Sequence, residues 1–129
     1  MKSLELQIPE INGETKLLGL ISHGATYTLS PCIHNFAAND LRLNSVYVHF
    51  NLSSEHVSKF LDVSWHLGLT GLNITAPHKN LVATLVETNG ISSVNTLVRG
   101  QNGWLGFSTD GDGFVTSLSQ AKACITDFD

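Results

Sequence analysis

The chain has 129 residues, of which 42% are hydrophobic and 14% charged, so it can bury the core of one domain without a disulfide or a structural metal. Its net charge of -4, with no run of Lys or Arg, argues against a nucleic-acid partner. No stretch approaches the roughly 18 apolar residues of a membrane span, and residues 1–13 do not read as a secretory signal. We therefore expect a cytoplasmic protein without a membrane partner. Cys32 and Cys124 lie in no paired motif, and we expect reduced thiols that pack as small hydrophobic side chains.

Short runs rich in β-forming residues alternate along the chain with segments whose apolar residues recur at helical spacing. Such alternation is typical of βαβ units, and a hairpin near the end adds an antiparallel strand. We predict a three-layer α/β/α sandwich with a mixed, mostly parallel sheet. The predicted strands are 16–21, 45–52, 70–75, 93–99 and 103–108, and the predicted helices are 31–43, 53–68, 78–87 and 110–123.

Ligands of such sheets bind beyond the carboxyl ends of the strands. This rule directs attention to residues 22–31, 75–79 and 108–113. In "TLSPCIHN" (28–35), Thr28 and Ser30 stand just before a helix that starts near Pro31. These hydroxyls either cap the helix or hold an anion at its N-terminus.

In "NITAPHK" (73–79), Lys79 falls in the first turn of a helix, where the helix dipole favours negative charge. Asn73 and Thr75 alternate with Ile74, so both can point to the same side of the strand. Two interpretations are open: a polar strand end with a solvated lysine, or a catalytic site.

Two further segments carry polar groups in unusual places. "SSVNTL" (92–97) puts Asn95 and Thr96 inside an otherwise apolar strand, where Asn95 must find backbone partners or a polyhydroxylated ligand. "STDGDG" (108–113) puts Asp110 at a strand-to-helix junction, where an N-cap is the ordinary role.

The sequence contains no recognised metal or dinucleotide motif. "GDGFVT" (111–116) begins like Gly-x-Gly-x-x-Gly but has Thr116 at the third glycine position. The histidines form no i,i+4 pair, so we predict no metal site; they are His23, His34, His49, His56, His66 and His78.

Together, "TLSPCIHN", "NITAPHK", "SVNTL" and "STDGDG" resemble, in order and approximate spacing, the substrate-binding domain of the shikimate dehydrogenases. The family pattern is Ser-x-Ser-Pro, then Asn-Val-Thr-x-Pro-x-Lys, Gly-Ala-Val-Asn-Thr and Asn-Thr-Asp-Gly-x-Gly. The resemblance covers about residues 17 to 118 and implies an open α/β sandwich that is followed, in the whole enzyme, by a Rossmann NADP domain.

The resemblance also implies an activity, the reversible NADPH-dependent reduction of 3-dehydroshikimate to shikimate in aromatic amino-acid biosynthesis. Lys79 and Asp110 match the catalytic lysine and aspartate. The residues that match substrate-binding positions are Thr28 and Ser30 for the carboxylate, and Asn73, Thr75 and Asn95 for the ring hydroxyls.

Several positions depart from the family pattern. Ser22 and Gly24 replace the Gly and Pro that precede the first motif, and Thr28 keeps a hydroxyl but adds a methyl group. The segment from 80 to 93 is several residues shorter than usual. The other replacements are Tyr27 for His, Ser92 and Ser93 for Gly-Ala, and Ser108 for Asn.

The sequence ends just after the helix that follows Asp110. We therefore expect residues 1–129 to form an isolated shikimate-binding domain, with NADP bound mainly by a domain missing from the chain, and no turnover of shikimate by the chain alone. The alternatives are a stand-alone shikimate- or quinate-binding module, and a quinate or aminoshikimate dehydrogenase homologue.

Overall fold

The computed structural model describes residues 10–24 and 27–121. Cys124 and the predicted helical residues 122–123 lie outside them. Strands and helices appear in the predicted order, with ends within three residues of the predictions for all the described boundaries. The elements are β1 (Lys16–Ser22), α1 (Ser30–Asp40), β2 (Ser45–Asn51), α2 (Ser54–His66), β3 (Gly71–Ile74), α3 (Lys79–Leu85), β4 (Thr96–Arg99), β5 (Trp104–Phe107) and α4 (Asp110–Gln120).

The five strands form one sheet in the order β2-β1-β3-β4-β5. β1 is parallel to both of its neighbours, β2 and β3, whereas β4 is antiparallel to β3 and to β5. Four strands therefore run in one direction and β4 runs in the other. The predicted mixed sheet is confirmed, with two parallel and two antiparallel pairs of neighbouring strands.

Helices lie on both faces of the sheet, as predicted. Phe50 of β2 packs on Phe60 of α2, with the ring centroids 4.9 Å apart. Tyr47, which is an odd number of residues away and so points to the opposite face, stacks on His34 of α1. The main core lies between the sheet, α2 and α3; its buried members are Ile21, Val57, Leu61, Leu69, Leu72, Ile74, Val82, Val94, Leu97 and Trp104.

Helix α1 differs from α2 in what its apolar residues contact. The spacing that predicted α1 is real, but no α1 residue is buried, and Ile33, Phe36 and Leu41 are 60%, 73% and 67% exposed. Cys32 is also exposed, so the expectation that it packs as a small hydrophobic side chain is wrong. Polar contacts of Asn35 with β2 hold α1 against the sheet. Among the described helices, none is both long enough and apolar enough to cross a membrane.

Candidate functional site

The carboxyl ends of β3 and β5 meet the first residue of β4 along the side of the sheet where these strands end. We call this side, formed by strand ends rather than by an edge strand, the site edge. The Ile74 N–H donates to the carbonyl of Asn95 over 2.8 Å, and the Asn95 N–H donates to the carbonyl of Phe107 over 3.1 Å. These bonds place Asn95 between the ends of its two neighbouring strands. Asn95 lies just before β4 rather than inside a strand, so that part of the prediction is wrong.

Lys79 is the first residue of α3, which confirms its predicted place in the first helical turn. It follows a cis Ala76–Pro77 bond and His78, whose side chain is fully buried. The His78 Nε2 lies 2.9 Å from the carbonyl of Leu52 and therefore carries the proton of that hydrogen bond. This contact anchors the turn from which the Lys79 side chain extends.

The Lys79 ammonium and the Asp110 carboxylate form an ion pair, with 2.6 Å between Nζ and Oδ2. The two side chains are 28% and 58% exposed, so the pair is open to solvent and to a small ligand. The sequence places these residues 31 positions apart, and the sheet brings them together because α3 begins after β3 and α4 begins after β5.

Asn95 is held by several bonds and in turn holds Asp110. Its amide Nδ2 donates to Asp110 Oδ1 over 2.8 Å and to Thr109 Oγ1 over 2.9 Å. Its Oδ1 accepts from the Thr109 N–H and the Thr96 hydroxyl, each at 3.0 Å. Because the acceptors and donors surround both ends of the amide, the orientation of the Asn95 side chain is fixed.

The Asp110 carboxyl is held in its charged form. Its hydrogen bonds from Lys79 and then from Asn95 lower the pKa of Asp110 below its ordinary value. The N-cap of α4 is Thr109, and Asp110 is the first helical residue, so the alternative role of Asp110 as an N-cap is wrong. The carboxylate serves the ion pair and the amide of Asn95 instead.

Thr28 and Ser30 form a second polar region at the start of α1. Thr28 Oγ1 accepts a hydrogen bond from the Ser30 N–H over 3.2 Å. Ser30 is itself the first helical residue and Leu29 is the N-cap, so capping by the Ser30 side chain is wrong. Among the described residues, no hydrogen bond joins this region to the Lys79–Asp110 pair.

Asn73 of β3 lies as the predicted alternation requires. Ile74 packs in the core, and Asn73 faces the opposite side, where it meets Tyr47. Thr75 follows the strand and its N–H donates to the carbonyl of Ile21 over 3.1 Å. The structure therefore brings Lys79, Asn95 and Asp110 into direct contact, with Asn73 and Thr75 on the adjoining strand end.

Comparison with known proteins agrees with this geometry. A family model described as "Shikimate dehydrogenase substrate binding domain" matches residues 20–97. This chain belongs to that family. A shikimate dehydrogenase (NADP(+)) of Nostoc sp. is 35% identical over 113 residues, which are 84% of this chain and 39% of the relative. One of Caldanaerobacter subterraneus subsp. tengcongensis is 39% identical over 119 residues, 88% of this chain and 42% of the relative.

Solved structures of the family share the fold. A shikimate dehydrogenase from Listeria monocytogenes, solved in complex with shikimate and NAD, superposes with a TM-score of 0.83 at 29% identity, over 89% of this chain and 42% of that one. Another shikimate dehydrogenase, in complex with NADP+, gives a TM-score of 0.81 at 34% identity, over 86% of this chain and 40% of that one. The chain spans about two fifths of the length of the curated relatives it matches.

Three contacts in the structure were not predicted from the sequence. Thr109 fixes the amide of Asn95 through both its N–H and its hydroxyl. The Tyr47 hydroxyl donates to Asn73 Oδ1 over 2.9 Å. Asn35 binds the backbone of Tyr47. The one signal in the sequence was the position of Thr109 beside Asp110; the other two pairs join distant segments.

A cavity of about 750 Å³ lies at the other end of the sheet, between α2, residues 85–87 and the β4–β5 hairpin. It contains none of the predicted site residues. The family's motifs all lie away from it, and the Lys79–Asp110 pair is at the site edge. Chemistry, rather than the size of this hollow, therefore identifies the candidate site.

Proposed function

We propose that this chain is the substrate-binding domain of an NADP-dependent shikimate dehydrogenase, which reversibly reduces 3-dehydroshikimate to shikimate in aromatic amino-acid biosynthesis in the cytoplasm. The observation that carries the proposal is the Lys79–Asp110 ion pair, with Asn95 bonded to the same carboxylate. The names of the relatives and the shikimate-bound structure from Listeria monocytogenes support the choice of substrate.

In this proposal the two polar regions bind different parts of the substrate. The hydroxyls of Thr28 and Ser30 donate to the carboxylate, and the positive end of the α1 dipole adds a favourable field for the negative charge. Asn73, Thr75 and Asn95 bind the ring hydroxyls. The rigid ring then holds its reacting carbon beside Lys79.

Lys79 acts on the oxygen that changes during the reaction. Reduction of the ketone builds negative charge on that oxygen, and an ammonium beside it stabilises the charge and supplies the proton. In the reverse direction the neutral amine takes the proton from the hydroxyl. Asp110 holds the Lys79 side chain at the site edge, and Asn95 holds Asp110 in place.

A nicotinamide, when bound, supplies or accepts the hydride. Among the described residues, no glycine-rich turn joins a strand to a helix as in a dinucleotide-binding fold; Gly111 and Gly113 lie inside α4. The described residues therefore do not fit an NADP site. We propose that NADP is bound mainly by a domain beyond the residues of this sequence.

Titration of the ¹⁵N-labelled chain with shikimate tests the proposal. We expect saturable shifts of the backbone signals of Lys79, Asn95 and Asp110, and weaker binding in Lys79→Ala. Lys59→Ala removes an exposed lysine of α2 and is the matched control; its affinity should equal that of the unaltered chain. Shifts confined to the cavity near the β4–β5 hairpin, or no saturable shift, would contradict the proposal.

The same titration with quinate separates the alternative ligands. A dehydrogenase domain for shikimate should bind shikimate more tightly than quinate. To separate an enzyme domain from a binding module, this chain is exchanged for the matching domain of a shikimate dehydrogenase. NADP-dependent turnover by the chimera supports the enzyme, whereas tight binding of shikimate without turnover supports the module.

A further inference from the structure

Tyr47 lies outside every motif of the family resemblance, yet it contacts both Asn73 of β3 and the helix α1 that begins with Ser30. Its side chain is buried, with 4% of the residue exposed. The ring stacks on His34 of α1 with 4.1 Å between centroids and 3° between planes. The hydroxyl reaches across β1 and donates to Asn73 Oδ1 on β3 over 2.9 Å.

The direction of the Tyr47–Asn73 hydrogen bond follows from the other partners of Asn73. The Asn73 Nδ2 lies 3.4 Å from the backbone carbonyl of Asn95, and a carbonyl oxygen can only accept. Nδ2 must therefore be on that side, and Oδ1 must be the atom that faces Tyr47. It follows that the Tyr47 hydroxyl donates. Burial raises the pKa of Tyr47 to about 12, which keeps the proton in place at neutral pH.

The Asn73 amide group is left with weak partners on its donor side. Its Nδ2 has contacts of 3.4 Å with both the Asn95 carbonyl and the Thr96 hydroxyl, which is long for a hydrogen bond. An oxygen of a ligand can replace such contacts at little cost. The Thr96 hydroxyl in turn donates to Asn95 Oδ1 over 3.0 Å, and Asn95 Nδ2 donates to Asp110. Asn73, Thr96 and Asn95 therefore form a chain of donors that ends at the Asp110 carboxylate.

The backbone of Tyr47 also holds α1. β2 is an edge strand, so the outward-facing N–H and C=O groups of its backbone need partners outside the sheet. Asn35 supplies an acceptor and a donor to Tyr47. Asn35 Nδ2 donates to the Tyr47 carbonyl over 2.8 Å, and the Tyr47 N–H donates to Asn35 Oδ1 over 2.9 Å. Since α1 buries none of its residues, these bonds and the His34 stack are its main attachments to β2.

We propose that Tyr47 is a positioning residue of the candidate site. Its hydroxyl makes Asn73 a hydrogen-bond donor toward a ligand oxygen, and its backbone and ring fix the helix that starts with Ser30. The identity of the ligand, a ring polyol with a carboxylate, rests on the proposed function. The orientation of the Asn73 amide does not.

Tyr47→Phe tests the proposal because it removes only the hydroxyl. We expect the affinity for shikimate, measured by calorimetric titration, to fall about three- to tenfold, the effect of one neutral hydrogen bond. Ser64→Ala is the matched control, since it removes another buried hydroxyl that bonds a backbone carbonyl in α2. That control should keep the affinity although it also loses stability. Equal affinities of Tyr47→Phe and the unaltered chain would overturn the proposal.

The ¹⁵N–¹H signals of the Asn73 side chain give a readout that a merely structural role would not change. In Tyr47→Phe they should shift and exchange faster with water, with or without shikimate. If the unaltered chain does not bind shikimate, the proposed function fails, while these signals still decide whether Tyr47 orients Asn73. Unchanged signals would overturn that orientation.

A measurement on the unaltered chain covers the case in which Tyr47→Phe does not fold. The hydroxyl proton of Tyr47 should be directly visible at low temperature and slow to exchange, and the ring should titrate well above the ordinary value of about 10. A Tyr47 ring that titrates near 10, with no protected hydroxyl proton, would contradict the proposal.

Discussion

The two polar regions of the candidate site differ in how completely their groups are already bonded. At the site edge, Lys79, Asn95 and Asp110 hold one another through short hydrogen bonds. At the start of α1, the hydroxyl of Thr28 has one local backbone contact of 3.2 Å, and among the described residues no side-chain group bonds the Ser30 hydroxyl. The first region is organised before a ligand arrives, and the second has hydrogen-bonding capacity left for one.

This difference suggests a division of labour. Preorganised charge is what a reaction needs where charge develops, because no reorganisation is then required during the reaction. Unsatisfied hydroxyls at a helix N-terminus suit the binding of an anion that stays unchanged. We therefore expect changes at the site edge to affect the rate far more than the affinity, and changes at the start of α1 to affect mainly the affinity.

The largest effect is expected for Lys79→Ala in the chimeric dehydrogenase described above. The rate constant kcat should fall about 100- to 10,000-fold, because the proton donor and the charge beside the oxygen are both lost. KM for shikimate should change much less. Steady-state kinetics, with Lys59→Ala as the control, measure both constants. A raised KM with an unchanged kcat would contradict the division of labour.

Thr28→Val should have the opposite signature. The change keeps the shape of the side chain but removes the hydroxyl, and shikimate binding should weaken by about 1–3 kcal/mol, the cost of one missing bond to a charged partner. Calorimetric titration measures this. Thr84→Val, in which an exposed hydroxyl of α3 is lost, is the control. If Thr28→Val instead lowered kcat of the chimera and left the affinity unchanged, the start of α1 would act on the rate, contrary to the proposed division of labour.

Asn35→Ala tests whether the α1 region depends on its polar attachment to β2. The free energy of unfolding should fall by about 1–2 kcal/mol, because the N–H and C=O of Tyr47 lose their partner. Denaturant unfolding measures this loss. Asn39→Ala, an exposed position on the same helix, should cost far less. Equal losses in the two variants would show that Asn35 does not anchor the helix.

The smallest expected effect is a change in titration at the site edge. The pKa of Asp110 is lowered in the folded chain, so its stabilising bonds are fully present above its ordinary value of about 3.9 and are lost as pH falls through the lowered value. Asn95→Ala removes one donor and should raise that pKa. Titration of the Asp110 carboxyl by ¹³C NMR, with Asn39→Ala for comparison, tests this; an unmoved pKa would count against the role of Asn95.

The sequence was sufficient to predict the positions of those site residues that local rules of secondary structure decide. Pro77 and the end of a strand placed Lys79 in a first helical turn, and alternation placed Asn73 away from the core. Parallel strands then required their ends to share an edge, so the meeting of Lys79 with Asp110 followed from the order of elements together with the family motifs.

The rest depended on packing between distant segments. The bond from Tyr47 to Asn73 crosses β1, and its partners are 26 positions apart, so it requires the register of three strands. Likewise, helical spacing showed that Ile33 and Phe36 belong to a helix, but not what their side chains would contact. Side-chain periodicity fixes which residues share a face, and only tertiary structure decides whether that face is buried.

A crystal structure of this chain with shikimate would show directly which groups bind the substrate. We predict the ring at the site edge, with one ring oxygen within hydrogen-bond distance of Lys79 Nζ and Asp110, and the carboxylate at the hydroxyls of Thr28 and Ser30. Shikimate bound in the cavity beside the β4–β5 hairpin, or with its carboxylate turned toward Asp110, would contradict it.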